Sequence, residues 1–287
     1  MSIDIGAAKS QFQDRFGFPA HVVVRAPGRV NIIGEHTDYN HGFVLPMAIE
    51  NETLIVARQR DDRILNAFAA NLNRSVEADL DERVRNAEEP WIDYVVGVMD
   101  ELAKLGKPLV GADILIMGDV LLECGLSSSA SLEMAAVCLF EALGGFSLDG
   151  AAAPQLGQRV ENDFLGLSSG IMDQFISRLG KAGHALFLDC RSLDYQLVPV
   201  AFDDALFVIA NTCVKRGLTS SKYNERVAEC RQAVAVMQDR LGKGGSHLRD
   251  FDLDDLVAAK DGMTDTVFRR ARHVITANTR TQAACQA

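Results

Sequence analysis

The sequence is short of positive charge, of aromatic rings and of any cysteine spacing that would hold a metal. Its 29 Lys and Arg stand against 39 Asp and Glu, for a net charge of -10. A surface that grips nucleic-acid backbone needs clustered cations, so this balance argues against a nucleic-acid partner. A small anion remains compatible, because local charge and not net charge holds it. The six cysteines, at positions 124, 138, 190, 213, 230 and 285, include no Cys-x-x-Cys pair and no His spacing suited to zinc. They read as reduced thiols of a cytoplasmic protein. No apolar run reaches membrane-spanning length, and residues 1–17 carry Asp4, Lys9, Asp14 and Arg15 in place of a signal peptide's apolar core. The Gly-x-Gly-x-x-Gly fingerprint of dinucleotide-binding folds is absent after every predicted strand, and no Gly-Lys pair continues into a Walker-type phosphate loop. Internal repeats and low-complexity segments are absent too.

What is present is a chain of 287 residues with 48% hydrophobic content, enough for two domains or one large one. Val22, Val23 and Val24 predict a strand that Pro27-Gly28 stops. The stretch from Gly28 to Asn40 then gathers Arg29, Asn31, Glu35, His36 and Asp38 between two glycines. Side chains that donate and accept in many directions suit a polyhydroxylated ligand; a plain polar surface loop is the other reading. Thr53 to Ala57 predicts a second strand, with a turn over Arg58 to Asp62. Pro90 to Leu105 reads as an amphipathic helix with Pro90 at its start; Trp91, the single tryptophan, reads as core packing, with nucleotide stacking as the lesser reading. Asp113 to Met117 predicts a further strand.

From Ser127 onward Leu132, Ala136, Leu139 and Leu143 recur on one helical face, and Gly144-Gly145 ends the pattern. A loop of glycine and three serines feeding a helix can aim free N–H groups and hydroxyls at one anion. A serine-capped helix is the competing reading. Pro154 to Phe164 predicts another helix carrying Glu161, and Ser168 to Gln174 the start of one carrying Asp173. An Asp near a helix start is ordinarily a cap.

Three strings, taken together, resemble one family. Gly28-Arg29-Val30-Asn31-Ile32-Ile33-Gly34-Glu35-His36-Thr37-Asp38-Tyr39-Asn40 is similar to the galactokinase signature of the GHMP small-molecule kinases, and Phe43 to Ile49 continues it. Gly125-Leu126-Ser127-Ser128-Ser129-Ala130-Ser131-Leu132-Glu133 and Gly170-Ile171-Met172-Asp173-Gln174-Phe175 agree, in the right order. The resemblance implies an α/β (α+β) two-domain fold with the active site in the inter-domain cleft. It places an N-terminal GHMP kinase domain at 1–190, closed by the segment Gly183 to Ser192, and a partial C-terminal domain at 191–287. The activity implied is ATP-dependent phosphorylation of galactose at its anomeric hydroxyl, with ATP as co-substrate, Mg2+ as cofactor and a monomeric state. Other GHMP kinases act on mevalonate, homoserine or N-acetylgalactosamine and diverge in the first string.

Carried over residue by residue, the resemblance makes Asp173 and Arg29 the catalytic pair. Asp173 accepts the hydroxyl proton or orients the hydroxyl, and Arg29 holds the carboxylate or balances charge. Arg29, Glu35, His36, Asp38, Gly170, Asp173 and Tyr223 surround the sugar. Gly125, Leu126, Ser127, Ser128, Ser129 and Ala130 wrap the ATP phosphates, and Ser129 with Glu161 holds the magnesium. The loop departs from its relatives at Leu121 and Glu123, where they carry proline and glycine. A carboxylate about 5 Å from a phosphate costs roughly 1 to 3 kcal/mol, so Glu123 is expected to weaken nucleotide binding unless it points into solvent.

Leu206 to Ala210 predicts a buried strand opening the second domain, followed by the segment Lys215 to Asn224 that carries Tyr223. Val227, Cys230, Val234, Met237 and Leu241 predict a helix ended by Gly242 to Gly245. The acidic cluster Asp250, Asp252, Asp254 and Asp255 lacks the glycine and terminal Glu of a calcium loop and reads as helix capping. Arg269, Arg270, Arg272 and His273 read as the solvated face of a structural helix over Val267 to Ala287. The chain stops before the family's third motif, a glycine-rich loop. The alternative function is therefore a non-catalytic galactose-binding or sensing protein, or an inactive truncated relative.

Overall fold

The structure, a computed structural model, describes residues 3–122, 124–200, 204–213 and 219–286. Glu123, the stretch Lys215 to Leu218 and Ala287 therefore lie outside the described residues. The architecture is mixed α/β, as the sequence implies. The chain divides into two compact units that interleave in sequence: residues 1–29, 48–166 and 173–179 form one, and residues 30–47, 167–172 and 180–287 the other. This partition by compactness differs from a sequential division at residue 190.

In the first unit, strand β2 (Phe43–Gln59) runs antiparallel to β5 (Ala112–Gly118), with Thr53 opposite Gly118 and Gln59 opposite Ala112. Strand β3 (Ile64–Ala69) lies parallel to β5 and antiparallel to β4 (Arg74–Asp79). A parallel pair needs a long crossover; here it passes through β4 and helix α2 (Asp93–Lys104), which a 3-10 turn with Pro90 at its start leads into.

The apolar run Leu54-Ile55-Val56-Ala57 is continuous because both faces of its strand are covered. Leu54, Val56 and Leu115 pack on Ala8 and Phe12 of α1 (Ile5–Phe16), whereas Ile55, Ala57, Ile114 and Ile116 point to the core under α2 and α3 (Ser128–Gly144). Alternation across the strand produces this division. Phe12 is fully buried, which is worth roughly 1.5–3 kcal/mol. Helix α4 (Ala152–Arg159) joins the same core, and α5 (Met172–Leu179) follows it in the chain.

In the second unit the first residues of β2 pair with β6 (His184–Asp189), and β6 with β7 (Tyr195–Pro199). Helices α6 (Thr219–Leu241), α7 (Leu253–Ala258) and α8 (Asp265–Gln286) share a core built from Cys230, Val234, Met237, Leu256, Ala271 and Val274. Gly242 ends α6 with φ 59°, as read from the sequence. The acidic cluster caps: Asp252 accepts from the Asp255 amide in a reciprocal capping box at α7.

Two sequence expectations are corrected. Strand β1 spans Val22–Ile33 and passes through Pro27-Gly28. Its only strand neighbour among the described residues is β2, and a strand with a free side tolerates the donor that proline lacks. Leu206 to Ala210 forms no strand; Leu206 is 77% and Val208 78% exposed. An extended segment becomes a strand only where neighbouring backbone pairs with it, and hydrophobicity alone supplies no such partner.

Candidate active site

In the first unit, Arg29 joins two segments far apart in sequence. Its amide donates to the Leu126 carbonyl at 3.0 Å and its Nη1 to the Gly125 carbonyl at 2.5 Å. Its Nε and Nη2 donate to Asp173 Oδ1 and Oδ2 at 2.9 and 2.8 Å. A planar guanidinium meeting both oxygens of one carboxylate is the strongest geometry an ion pair takes. Asp173 occupies the first turn of α5, but it is an ion-pair partner there and not merely a cap.

Ser127 completes the arrangement. It stands at the N-cap of α3 with φ 61°, yet its hydroxyl makes no cap bond and donates to Asp173 Oδ2 at 2.5 Å. A left-handed backbone at a non-glycine residue is strained, and here the strain turns the hydroxyl away from the helix end and onto the carboxylate. The capped-helix reading of this serine is thereby replaced.

Ser128, Ser129 and Ala130 follow, ahead of the first bond of the helical ladder, Ser131 N–H to the Ser127 carbonyl at 3.0 Å. Amides in that position lack intrahelical acceptors and favour an anion. Ser129 Oγ donates to Glu161 Oε1 at 3.1 Å. The predicted helix over residues 154–164 is regular only to Arg159; Val160–Phe164 form a π-turn, closed by Leu165 N–H to the Val160 carbonyl at 2.9 Å. Glu161 is buried within that wide turn, a feature common at functional sites. One hydroxyl and one carboxylate side by side are the oxygen donors that a hard divalent cation takes, so the residues fit magnesium.

Sequence reasoning missed Glu133, which ends the serine string. It is fully buried on α3 and accepts from Gln174 Nε2 at 3.0 Å, while Glu133 Oε1 and Gln174 Oε1 have no hydrogen-bond partner. Burial pushes its carboxyl well above the usual range, the charges of Glu161 and Asp173 push the same way, and the Gln174 hydrogen bond only opposes them. A lone Glu between Leu132 and the run Met134 to Val137 was the available signal.

The second unit holds the remaining candidates together. Asn31 Nδ2 donates to Glu35 Oε1 at 3.2 Å. His36, at φ 65°, shares a hydrogen bond between Nδ1 and Tyr39 Oη at 2.9 Å. The Tyr223 ring lies 6.4 Å from His36 and 5.4 Å from Tyr39, and the His273 ring 6.3 Å from His36. Burial, then the neighbouring Cys230 and Asp38, push the Tyr39 phenol up, so it keeps its proton. Gly170 faces Asp38.

The solvated-face reading of the basic run is true of Arg269 and Arg272, which are exposed. It fails for Arg270, which pairs with Glu229 at 3.3 Å, and for His273, whose Nε2 lies 2.9 Å from the Glu35 carbonyl. Nothing in the spacing of that run distinguishes His273 from its neighbours. Among the described residues no group of three or more His, Cys, Asp or Glu is arranged to hold a metal. No described helix is long and apolar enough to cross a membrane.

Known proteins with these features can be compared directly. The galactokinase galactose-binding signature matches residues 10–59, and the GHMP kinases N terminal domain matches residues 93–181. A galactokinase of Chloroflexus aggregans is 42% identical over 284 residues, covering 99% of this chain and 72% of that protein. One from Roseiflexus sp. is 42% identical over 278 residues, covering 97% of this chain and 70% of that protein. Lactococcus lactis galactokinase, solved in complex with galactose, superposes with a TM-score of 0.92 at 39% identity, over 99% of this chain and 74% of that one. Mevalonate kinase of Methanococcus jannaschii, at 20% identity and a TM-score of 0.58, shares the fold.

Proposed function

This chain belongs to the galactokinase family, and from that premise we propose that it phosphorylates galactose at the anomeric hydroxyl with ATP as donor. The observation that carries the reading is Asp173 held by three side-chain donors, the Arg29 Nε and Nη2 and the Ser127 hydroxyl. Two of these residues, Arg29 and Ser127, also flank or contact the loop at Gly125 and Leu126. One carboxylate is thus tied to the segment suited to the ATP phosphates.

Asp173 takes the proton of the anomeric hydroxyl, or orients it, as that oxygen bonds to the γ-phosphorus. The bond from phosphorus to the bridging oxygen breaks, and ADP carries away the electron pair. Arg29 fixes the carboxylate and balances charge on the transferring group. Gly125, Leu126, Ser127, Ser128, Ser129 and Ala130 receive the phosphates.

Ser129 and Glu161 would hold the magnesium. When bound, that ion supplies neutralisation of phosphate charge. Glu35, His36, Asp38, Gly170 and Tyr223 bind the sugar. Such a set discriminates between hydroxyl epimers because a mismatched sugar leaves polar groups unpaired. Chain connectivity favours this assignment: Gly170 precedes Asp173 by three residues, and Arg29 lies in the same signature string as Glu35, His36 and Asp38.

A sensor would require no Ser129–Glu161 pair, and its presence favours the kinase over a non-catalytic binder. A cytoplasmic, monomeric protein with domains at 1–190 and 191–287 belongs to the same proposal. The test is ADP release by the purified chain with magnesium and ATP, with and without galactose, and identification of galactose 1-phosphate by phosphorus NMR. Galactose-dependent release is expected; no release from a folded chain would overturn the enzyme reading.

A further inference from the structure

We propose that α8 shapes the sugar-binding loop, with His273 and Asn278 as positioning residues that pin its two ends. The inference rests on the reading of Glu35, His36 and Asp38 as sugar ligands.

The loop from Gly34 to Phe43 needs outside support. Its backbone enters the left-handed region at Gly34, His36 and His41, with φ of 100°, 65° and 56°. Non-glycine residues are strained there, so the conformation persists only where neighbours impose it. Part of that support is internal: the buried Thr37 hydroxyl lies 2.6 Å from the Gly34 carbonyl and 2.7 Å from the Phe43 carbonyl.

The rest comes from one helix. At the start of the loop, His273 Nε2 is 2.9 Å from the Glu35 carbonyl. A carbonyl only accepts, so Nε2 is the donor in this pair. At the far end, Asn278 Oδ1 accepts the Phe43 amide at 3.0 Å. Asn278 is buried, and so are Val274 four residues before it and Thr281 three residues after it, so this is the packed face of α8.

The loop's glycines permit the approach. A β-carbon at Gly42 would stand 2.3 Å from Asn278 Oδ1, and one at Gly34 would stand 2.6 Å from the Phe43 carbonyl and 3.2 Å from Thr281 Oγ1. Between the pinned ends, His36 has the His273 ring edge-on to its own at 6.3 Å. Side chains on α8 therefore set where the Glu35 and His36 side chains point without belonging to the signature themselves.

The experiment pairs variants that remove each bond with variants that keep it. His273→Phe removes the donor and His273→Gln restores an N–H of similar reach; Asn278→Leu removes the acceptor and Asn278→Asp keeps it. His273→Phe and Asn278→Leu are expected to raise KM for galactose roughly tenfold, the size of a lost hydrogen bond, with KM for ATP unchanged. The Gln and Asp variants recover most of the loss. Equal changes in both KM values, or no rescue by the conservative partners, would overturn the positioning role.

Hydrogen exchange at the Phe43 amide supplies a readout that needs no substrate. Protection is lost in Asn278→Leu and kept in Asn278→Asp if the pin exists, and unchanged protection in both refutes it. Should the wild-type chain neither bind nor phosphorylate galactose, the functional reading fails and the exchange result alone decides the clamp.

Discussion

Gly170 and Asp38 touch so closely that no side chain fits between them: a β-carbon on Gly170 would stand 1.9 Å from Asp38 Oδ2 and 2.2 Å from its Cγ. Gly170→Ala must displace the Asp38 carboxylate. We expect KM for galactose to rise at least tenfold, with KM for ATP nearly unchanged and stability lower by about 1–3 kcal/mol. Steady-state kinetics with each substrate varied in turn checks this. Unaltered galactose KM would mean that Asp38 does not touch the sugar.

Asp173→Asn keeps the shape of the side chain and removes its ability to take a proton. A fall in kcat of roughly 10²–10⁴ is expected, with substrate affinities little changed. Arg29→Lys keeps the charge but loses the fork that meets both Asp173 oxygens and the Gly125 carbonyl. Its kcat should also fall, and its KM for ATP should rise because the loop at Gly125 loses an anchor. Single-turnover measurements separate the two effects; an Asp173→Asn enzyme with wild-type turnover would remove this residue from the chemistry.

Glu133 gives a pH dependence whose sign follows from its environment. Burial raises its carboxyl above the ordinary value of 4.5, so the folded protein keeps a proton that the unfolded chain releases. Stability is therefore complete below about that pH and declines as pH rises toward the folded-state value. Glu133→Gln cannot ionise. It is expected to match the wild type near pH 4.5 and exceed it in thermal midpoint at neutral pH. Glu133→Leu leaves Gln174 Nε2 without its acceptor and should cost about 1–3 kcal/mol. Parallel melting curves of both variants below and above pH 5 are the measurement, and a wild-type curve flat with pH would show that Glu133 ionises normally.

Asp250 has the opposite sign. Burial works against its charge, but hydrogen bonds from the His247 and Ser246 amides and the Arg191 side chain outweigh that cost and hold it at about 2, against an ordinary 3.8. Its contribution is present above pH 3.8 and is lost as pH falls toward 2. Asp250→Asn should lower stability by about 1–2 kcal/mol at pH 7, allowing for solvent screening. The difference from wild type should shrink toward zero near pH 2. Denaturant titrations at the two pH values decide it, and a pH-independent difference would mean that packing and not charge carries the effect.

The α/β class and most elements were legible because they follow from short-range rules. Val227, Cys230, Val234 and Met237 recur at helical spacing and are buried along one face of α6, and Gly242 ends that helix where the sequence says it should. Pro27-Gly28 and Leu206 to Ala210 misled for one shared reason. Whether an extended segment is a strand depends on a neighbour, so Pro27-Gly28 does not end β1, which pairs with β2, and a run of apolar residues does not by itself make a strand.

The candidate site was legible as a set of residues and not as a set of relationships. Polar side chains packed between glycines, and a serine loop before a helix, point from the sequence alone to the family and to Arg29, Ser127 and Asp173. That family membership needs only residue identity and order. What tertiary structure decided is which atoms meet. Ser127 turns from its helix cap to Asp173, Glu161 enters a π-turn beside Ser129, burial pushes the Glu133 carboxyl up, and His273 reaches Glu35 across 238 residues of chain. Hydrogen bonds and desolvation act through distances of a few ångströms, which periodicity along a chain does not encode until the fold brings distant segments together.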